Sequence, residues 1–108
     1  MEADPVEWLG SSRGDIRELR ATTQQDLGYE LFRVQVGLMP TDFRPMSSVG
    51  AGTYEIRVSD AEGIARLMYV AKFRSTVYVL HVFEKKTQRT TKADIDKAKQ
   101  RYKEAKDG

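Results

Sequence analysis

Polar side chains in the middle of the chain could do chemistry on an anion if the strands bring them together. Thr53-Tyr54-Glu55-Ile56-Arg57-Val58 alternates, which puts Glu55 and Arg57 on one face of a strand and Tyr54, Ile56 and Val58 on the other. Arg66 follows in the next run, so a short antiparallel turn would make Arg57 and Arg66 cross-strand neighbours on a wet sheet face. Adjacent guanidinium groups repel unless an anion lies between them. That anion is a bound phosphate if the row is functional. It is Glu55 if the row is only a surface salt-bridge ladder of small energetic weight. His81 is the only histidine, and its side chain suits proton transfer near neutrality. In sequence it alternates with Val77, Val79 and Phe83, and neither face of its strand reads as the wet one. Lys85 and Lys86 close that strand, beside Arg66 if the register is ordinary, although paired lysines at a strand end are commonly just solvated.

Other chemistries find little here. With one histidine and no cysteine, a zinc site of the usual kind is not available. No carboxylates cluster at metal-ligand spacing, so neither a metal nor a cofactor is expected. Gly50-Ala51-Gly52 is too short for a phosphate-binding loop, and neither a dinucleotide fingerprint nor a serine elbow is present. Tyr54, Tyr69, Tyr78 and Tyr102 read as core-edge residues, with base stacking as the less favoured use.

These residues need a scaffold, and the periodicity supplies one. Pro5–Leu9 reads as a first strand with Val6 and Trp8 on one face. Ser12 and Asp15 form a capping-box pattern for a short helix that turns Ile16 and Leu19 inward. A second helix is expected from Thr22 or Thr23, its stripe being Leu27, Leu31, Val34 and Leu38, with Gly37 at its end. Residues 39–52 read as loop. Three strands follow, 53–58, 64–72 and 76–84, joined by turns short enough to demand a meander. Thr91 and Asp94 cap a final helix whose narrow stripe is Ile95, Ala98, Tyr102 and Ala105, a stripe thin enough to predict weak docking. The fold class is α+β: an N-terminal strand and helical hairpin packed on an antiparallel meander, with a C-terminal helix.

A chain of 108 residues with 40% hydrophobic content supports one domain, 1–108, with a real core. The net charge of +2 is unevenly distributed. Residues 84–108 hold nine Lys/Arg against five Asp/Glu, whereas the first 83 hold nine against eleven. Basic charge therefore collects where an anionic backbone could be drawn in, or simply along a solvated helix. The start Met1-Glu2-Ala3-Asp4 has no signal-peptide character and the apolar runs are strand-sized, so the expected compartment is the cytoplasm, without a membrane.

Three runs carry a resemblance: Gly52 to Val58, then Ala65-Arg66-Leu67-Met68-Tyr69-Val70-Ala71-Lys72-Phe73, then Val77 to Thr87, ending Phe83-Glu84-Lys85-Lys86-Thr87. They look like the HigB branch of the RelE toxin superfamily, which includes phage-derived members, and the likeness extends over roughly residues 6–105. It implies a RelE-like fold and a metal-independent endoribonuclease that cuts messenger RNA, often on the ribosome, and is neutralised by a helix-turn-helix antitoxin. That likeness matches basic positions to Arg57 and Arg66 and, at the end of the last strand, to Lys85 and Lys86. With the residues read above, the catalytic candidates are Arg57, Arg66, His81, Glu55 and Lys85, with Lys86, Lys72 and Arg89 as RNA contacts. Where RelE carries a further strand lysine this chain has Glu55, which is either the general base or the residue that orients Arg57. An antitoxin would set acidic side chains against Arg57, Arg66 and Lys85, or displace the final helix. Two other classes stand beside the toxin: a non-catalytic relative that binds nucleic acid or antitoxin, and a phage assembly protein.

Overall fold

A computed structural model describes residues 2–86 and 89–108. The elements are β1 (Val6–Trp8), α1 (Ser12–Arg17), α2 (Ala21–Gln35), β2 (Phe43–Pro45), β3 (Thr53–Asp60), β4 (Gly63–Phe73), β5 (Thr76–Lys85) and α3 (Lys92–Asp107). The fold is α+β, as the residue pattern and the resemblance imply. The meander forms as expected, but it is the centre of a larger mixed sheet of order β1-β5-β4-β3-β2. β1 runs parallel to β5, pairing Val6 with Val77 and Trp8 with Val79. β2 lies inside the segment expected to be loop, and its three exposed residues give it no alternating signal. Its Pro45 suits an edge strand, because proline has no N–H to donate to a further neighbour.

Turn chemistry fixes the register. Asp60 Oδ1 accepts from the Glu62 and Gly63 amides at 2.7 and 3.2 Å, which closes the β3–β4 turn. Arg74 and Ser75 both have positive φ, 54° and 50°, the geometry of a tight two-residue hairpin between β4 and β5.

One sheet face carries Ile56, Ala65, Leu67, Tyr69, Val77, Val79 and Val82 and is covered by α1 and α2, which bring Ile16, Leu27, Leu31 and Val34. Each such fully buried aliphatic side chain contributes about 1.5–3 kcal/mol relative to exposure. The helices differ from expectation at their ends. Ser11, not Ser12, precedes α1, and Ser12 turns inward, where its hydroxyl lies 3.4 Å from the Val79 carbonyl. The α2 helix begins at Ala21, just ahead of Thr23, whose buried hydroxyl instead donates to Asp60 Oδ2 at 3.3 Å. It stops before Leu38, which is exposed and outside the stripe. Gly37, at φ +89°, ends it: the Gly37 amide returns to Val34 O and the Leu38 amide to Arg33 O, the paired bonds of a glycine-terminated helix.

The other face was expected to be wet and is not. Val49, Met68, Val70, Tyr78 and Leu80 form a second apolar cluster there with Ala98 and Ala105 of α3, flanked by Ile95 and Tyr102. The α3 stripe therefore docks on the sheet as its spacing predicts, and polar contacts are added to it. Arg101 Nη1 donates to Leu80 O at 2.9 Å, Tyr102 Oη donates to Ala51 O at 2.8 Å, and Arg74 reaches the Ala105 and Lys106 carbonyls at the helix end. The Tyr102 ring packs so closely on Gly50 that a Cβ there would stand 2.4 Å from its Cζ. Polar anchors supplement a stripe that is thin in apolar area alone. No helix among the described residues is long and apolar enough to cross a membrane.

Candidate active site

β3, β4 and β5 deliver the polar residues to this second face. Arg57 stands opposite Arg66, which stands opposite Phe83, and one pair further along Glu55, Met68 and His81 line up. The expectation that Arg57 and Arg66 are cross-strand neighbours is met. Their setting differs from the expected one: Glu55 and Arg66 are 0% exposed, His81 4% and Arg57 8%, and among the described residues Thr90 and, from α3, Asp94 lie against the row. The sequence left the direction of His81 open for a specific reason. Met68 pairs with His81 while the next residue, Tyr69, pairs with Val79, so Leu80 is a bulge residue. The bulge breaks the alternation and turns His81 away from Val77 and Val79, onto the face of Met68 and Arg66.

Among the described residues, the Glu55 carboxylate and the Thr90 hydroxyl link the row. Glu55 Oε1 accepts from Arg57 Nε at 2.8 Å, and Oε2 accepts from Thr90 Oγ1 at 3.0 Å. The same Thr90 hydroxyl accepts from Arg66 Nη1 at 3.1 Å. The like charges of Arg57 and Arg66 are thus tolerated because Glu55 and Thr90 lie against them. Burial lowers the pKa of Arg66 from its usual value, with the Glu55 charge opposing that and Arg57 adding to it.

The second half of the site surrounds Phe83. His81 stacks on the Phe83 ring at 4.6 Å, and the Arg66 guanidinium and Lys85 ammonium lie 5.7 and 5.9 Å from its centroid. His81 Nε2 lies 2.9 Å from Asp94 Oδ1. Asp94 Oδ2 accepts from Thr91 Oγ1 at 2.6 Å and pairs with Lys85 Nζ at 3.3 Å. Burial lowers the pKa of His81 below the ordinary histidine value, although the Asp94 carboxylate works to raise it. For Asp94 burial acts upward, but hydrogen bonds from Thr91, His81 and Lys85 outweigh it and hold the carboxyl at about 2.

The structure brings Glu55, Arg57, Arg66, His81 and Lys85 onto one face. Lys85 is not directly beside Arg66: its register partner is Ile64, and it reaches α3 instead. Lys86 is exposed at a cleft lined by Asp60, Glu62 and Gly63, at the strand's outer end. Arg89 is exposed on the approach to α3. Lys72 is remote: it lies six positions from Arg66 on β4, about 20 Å along the strand, with its ammonium 5.5 Å from the Phe73 ring. Thr87, the end of the most specific run of the resemblance, lies outside the described residues.

Sequence reading did not assign Asp94, Thr90 or Phe83 to the site. Asp94 was legible only as a cap partner of Thr91, and that role holds: Thr91 Oγ1 accepts from the Asp94 amide at 3.3 Å. Its reach to His81 depends on how α3 crosses the sheet, which no local pattern encodes. No three His, Cys, Asp or Glu side chains among the described residues are grouped to hold a metal ion.

No curated protein matches the chain. Residues 14–103 match the family model described as phage derived protein Gp49-like (DUF891). That span runs from α1 to α3 and contains every residue of the row just described. The chain belongs to the phage-derived Gp49-like family, a family of RelE/HigB-like toxins.

Proposed function

We propose that the chain is the toxin of a toxin–antitoxin system and acts as a metal-independent endoribonuclease on messenger RNA at the ribosome, in the HigB manner. The observation that carries this reading is the burial of Arg57 and Arg66 side by side, next to His81 and Lys85, on a face that apolar residues could fill. Burying ions costs several kcal/mol each, so such a row is kept for a purpose other than stability.

The chemistry assigned to it is transesterification. The ribose 2′-oxygen attacks the adjacent phosphorus and gives its proton to a base. The P–O5′ bond breaks, and the leaving 5′-oxygen takes up a proton. The products are a 2′,3′-cyclic phosphate and a 5′-hydroxyl, and no co-reactant is consumed. Charge builds on the phosphorane oxygens in the transition state, and preorganised guanidinium groups act there. Arg57 and Arg66 take that role, and a phosphate meets Arg66 by displacing the Thr90 hydroxyl. Lys85 has a side chain 35% exposed, so it is open to the solvent side and protonates the leaving oxygen. His81 is the base. Glu55 has both oxygens engaged by Arg57 and Thr90, which suits orientation better than proton transfer. Lys86 and Arg89 extend the basic approach at the mouth, and Lys72 contributes only to RNA that tracks along β4.

A second reading, a relative that binds nucleic acid or antitoxin without turnover, is favoured by the complete burial of Glu55 and Arg66 beneath Thr90. Induction in a bacterial cytoplasm separates the two. The toxin reading expects growth arrest, relieved when a neighbouring helix-turn-helix antitoxin is co-expressed. Normal growth at matched expression of soluble protein contradicts it.

A further inference from the structure

We propose that Asp94 is the positioning residue for His81, holding the imidazole with its proton on Nε2 so that Nδ1 is the bare acceptor for the ribose 2′-hydroxyl. The inference rests on the ribonuclease reading for its substrate, but the positioning itself is decided by geometry.

The carboxylate is fixed from two sides. Oδ2 is held by the Thr91 hydroxyl at 2.6 Å and by Lys85 at 3.3 Å, which leaves Oδ1 facing His81 Nε2 at 2.9 Å. The ring is fixed as well, stacked on Phe83 with 22° between the planes. An ionised carboxylate can only accept, so the nitrogen facing it carries hydrogen. Asp94 is ionised across the working pH range, and its place in the first turn of α3 favours the negative charge further. Burial, and then the charges of Lys97 and Arg101, keep His81 on the neutral side despite Asp94. A neutral imidazole with its hydrogen on Nε2 has a lone pair on Nδ1.

That lone pair is the second observation. Nδ1 of His81 is buried and makes no hydrogen bond among the described residues. A buried polar atom left in this condition costs about 1–3 kcal/mol, a penalty relieved when a donor arrives. The ribose 2′-hydroxyl is such a donor, is the group that loses a proton in the reaction, and is absent from DNA. Asp94 thus acts through His81 and does not itself touch the substrate.

The test uses the fact that His81 is the only histidine, so its imidazole nitrogens are identified without further assignment. In the wild-type protein at neutral pH, 15N-detected spectra are expected to show Nε2 protonated and Nδ1 bare. In Asp94→Asn the amide must keep its carbonyl toward Lys85, which only donates, and this turns the NH2 toward His81. The proton then moves to Nδ1, and the single-turnover rate of RNA cleavage falls about 10²-fold or more with KM little changed. A merely structural cap would alter melting without moving the tautomer. A wild-type spectrum with the proton on Nδ1 overturns the proposal without need of any variant. So does an Asp94→Asn protein with unchanged tautomer and rate. A wild-type protein that cuts no RNA but shows the Nε2–H form overturns the ribonuclease reading alone, and the assignment of Asp94 then stands on the spectrum.

Discussion

Replacing Arg66 with alanine is expected to slow RNA cleavage by about 10² to 10³-fold, the loss typical of removing one preorganised stabiliser of transition-state charge. Arg66 is at the junction of the site: it faces Arg57 across the strands, donates to Thr90 and lies over Phe83, the ring on which His81 stacks. Removing it withdraws a charge from the phosphate position and leaves a void at a fully buried place. Melting must therefore be followed alongside the rate. Arg66→Lys keeps the charge but not the planar fork, so it should recover part of the rate. The comparison is made at temperatures where both variants are folded. Wild-type cleavage by a folded Arg66→Ala protein would remove Arg66 from the reaction.

The largest effect on stability is expected from Glu55→Ala. Glu55 has no exposed surface, and it accepts from Arg57 and Thr90. Its removal leaves two adjacent buried guanidinium groups without the carboxylate that separates their charges. Breaking a buried ion pair from one side costs about 3–5 kcal/mol, a large share of what a domain of this size holds in reserve. Glu55→Gln retains an acceptor for Arg57 but not the charge, and should lose less. Urea denaturation of the three proteins measures the series. If Glu55→Ala unfolds at the wild-type midpoint, the row is looser than the geometry implies, and Glu55 has no orienting role.

The parts of the fold written in local pattern were legible. Alternation at 53–58, the stripe Leu27-Leu31-Val34 and the Thr91–Asp94 cap each specify their element directly, because each depends on residues a few positions apart. What stayed hidden depends on partners far along the chain. β2 is three exposed residues that become a strand only because β3 offers an edge. The face holding Arg57 and Arg66 reads as wet because Glu55, Arg57 and Arg66 lie on it. Only the arrival of α3, with Ala98 and Ala105 against Met68 and Leu80, makes it an interior. The bulge at Leu80 has no signature in an apolar run, so the direction of His81 could not be read before the strands were paired. The candidate site shows the same division. Its cations were visible by type and spacing, whereas Asp94 and Thr90 join them through the path of the chain into α3.

The central claim, that the buried row cuts RNA through the ribose hydroxyl, is tested most directly by the ends it leaves. Purified protein is incubated in EDTA with a short unstructured RNA, and with the same RNA carrying one 2′-deoxyribose at the preferred cut. Ribosomes in magnesium serve as a parallel arm in case the free RNA is held too loosely. The expected result is fragments ending in a 2′,3′-cyclic phosphate and a 5′-hydroxyl, formed on the free RNA without added metal or on the ribosome-bound message in its magnesium buffer, and abolished at the deoxy position. Cleavage that persists at the deoxy position, or intact RNA in both arms, would contradict it.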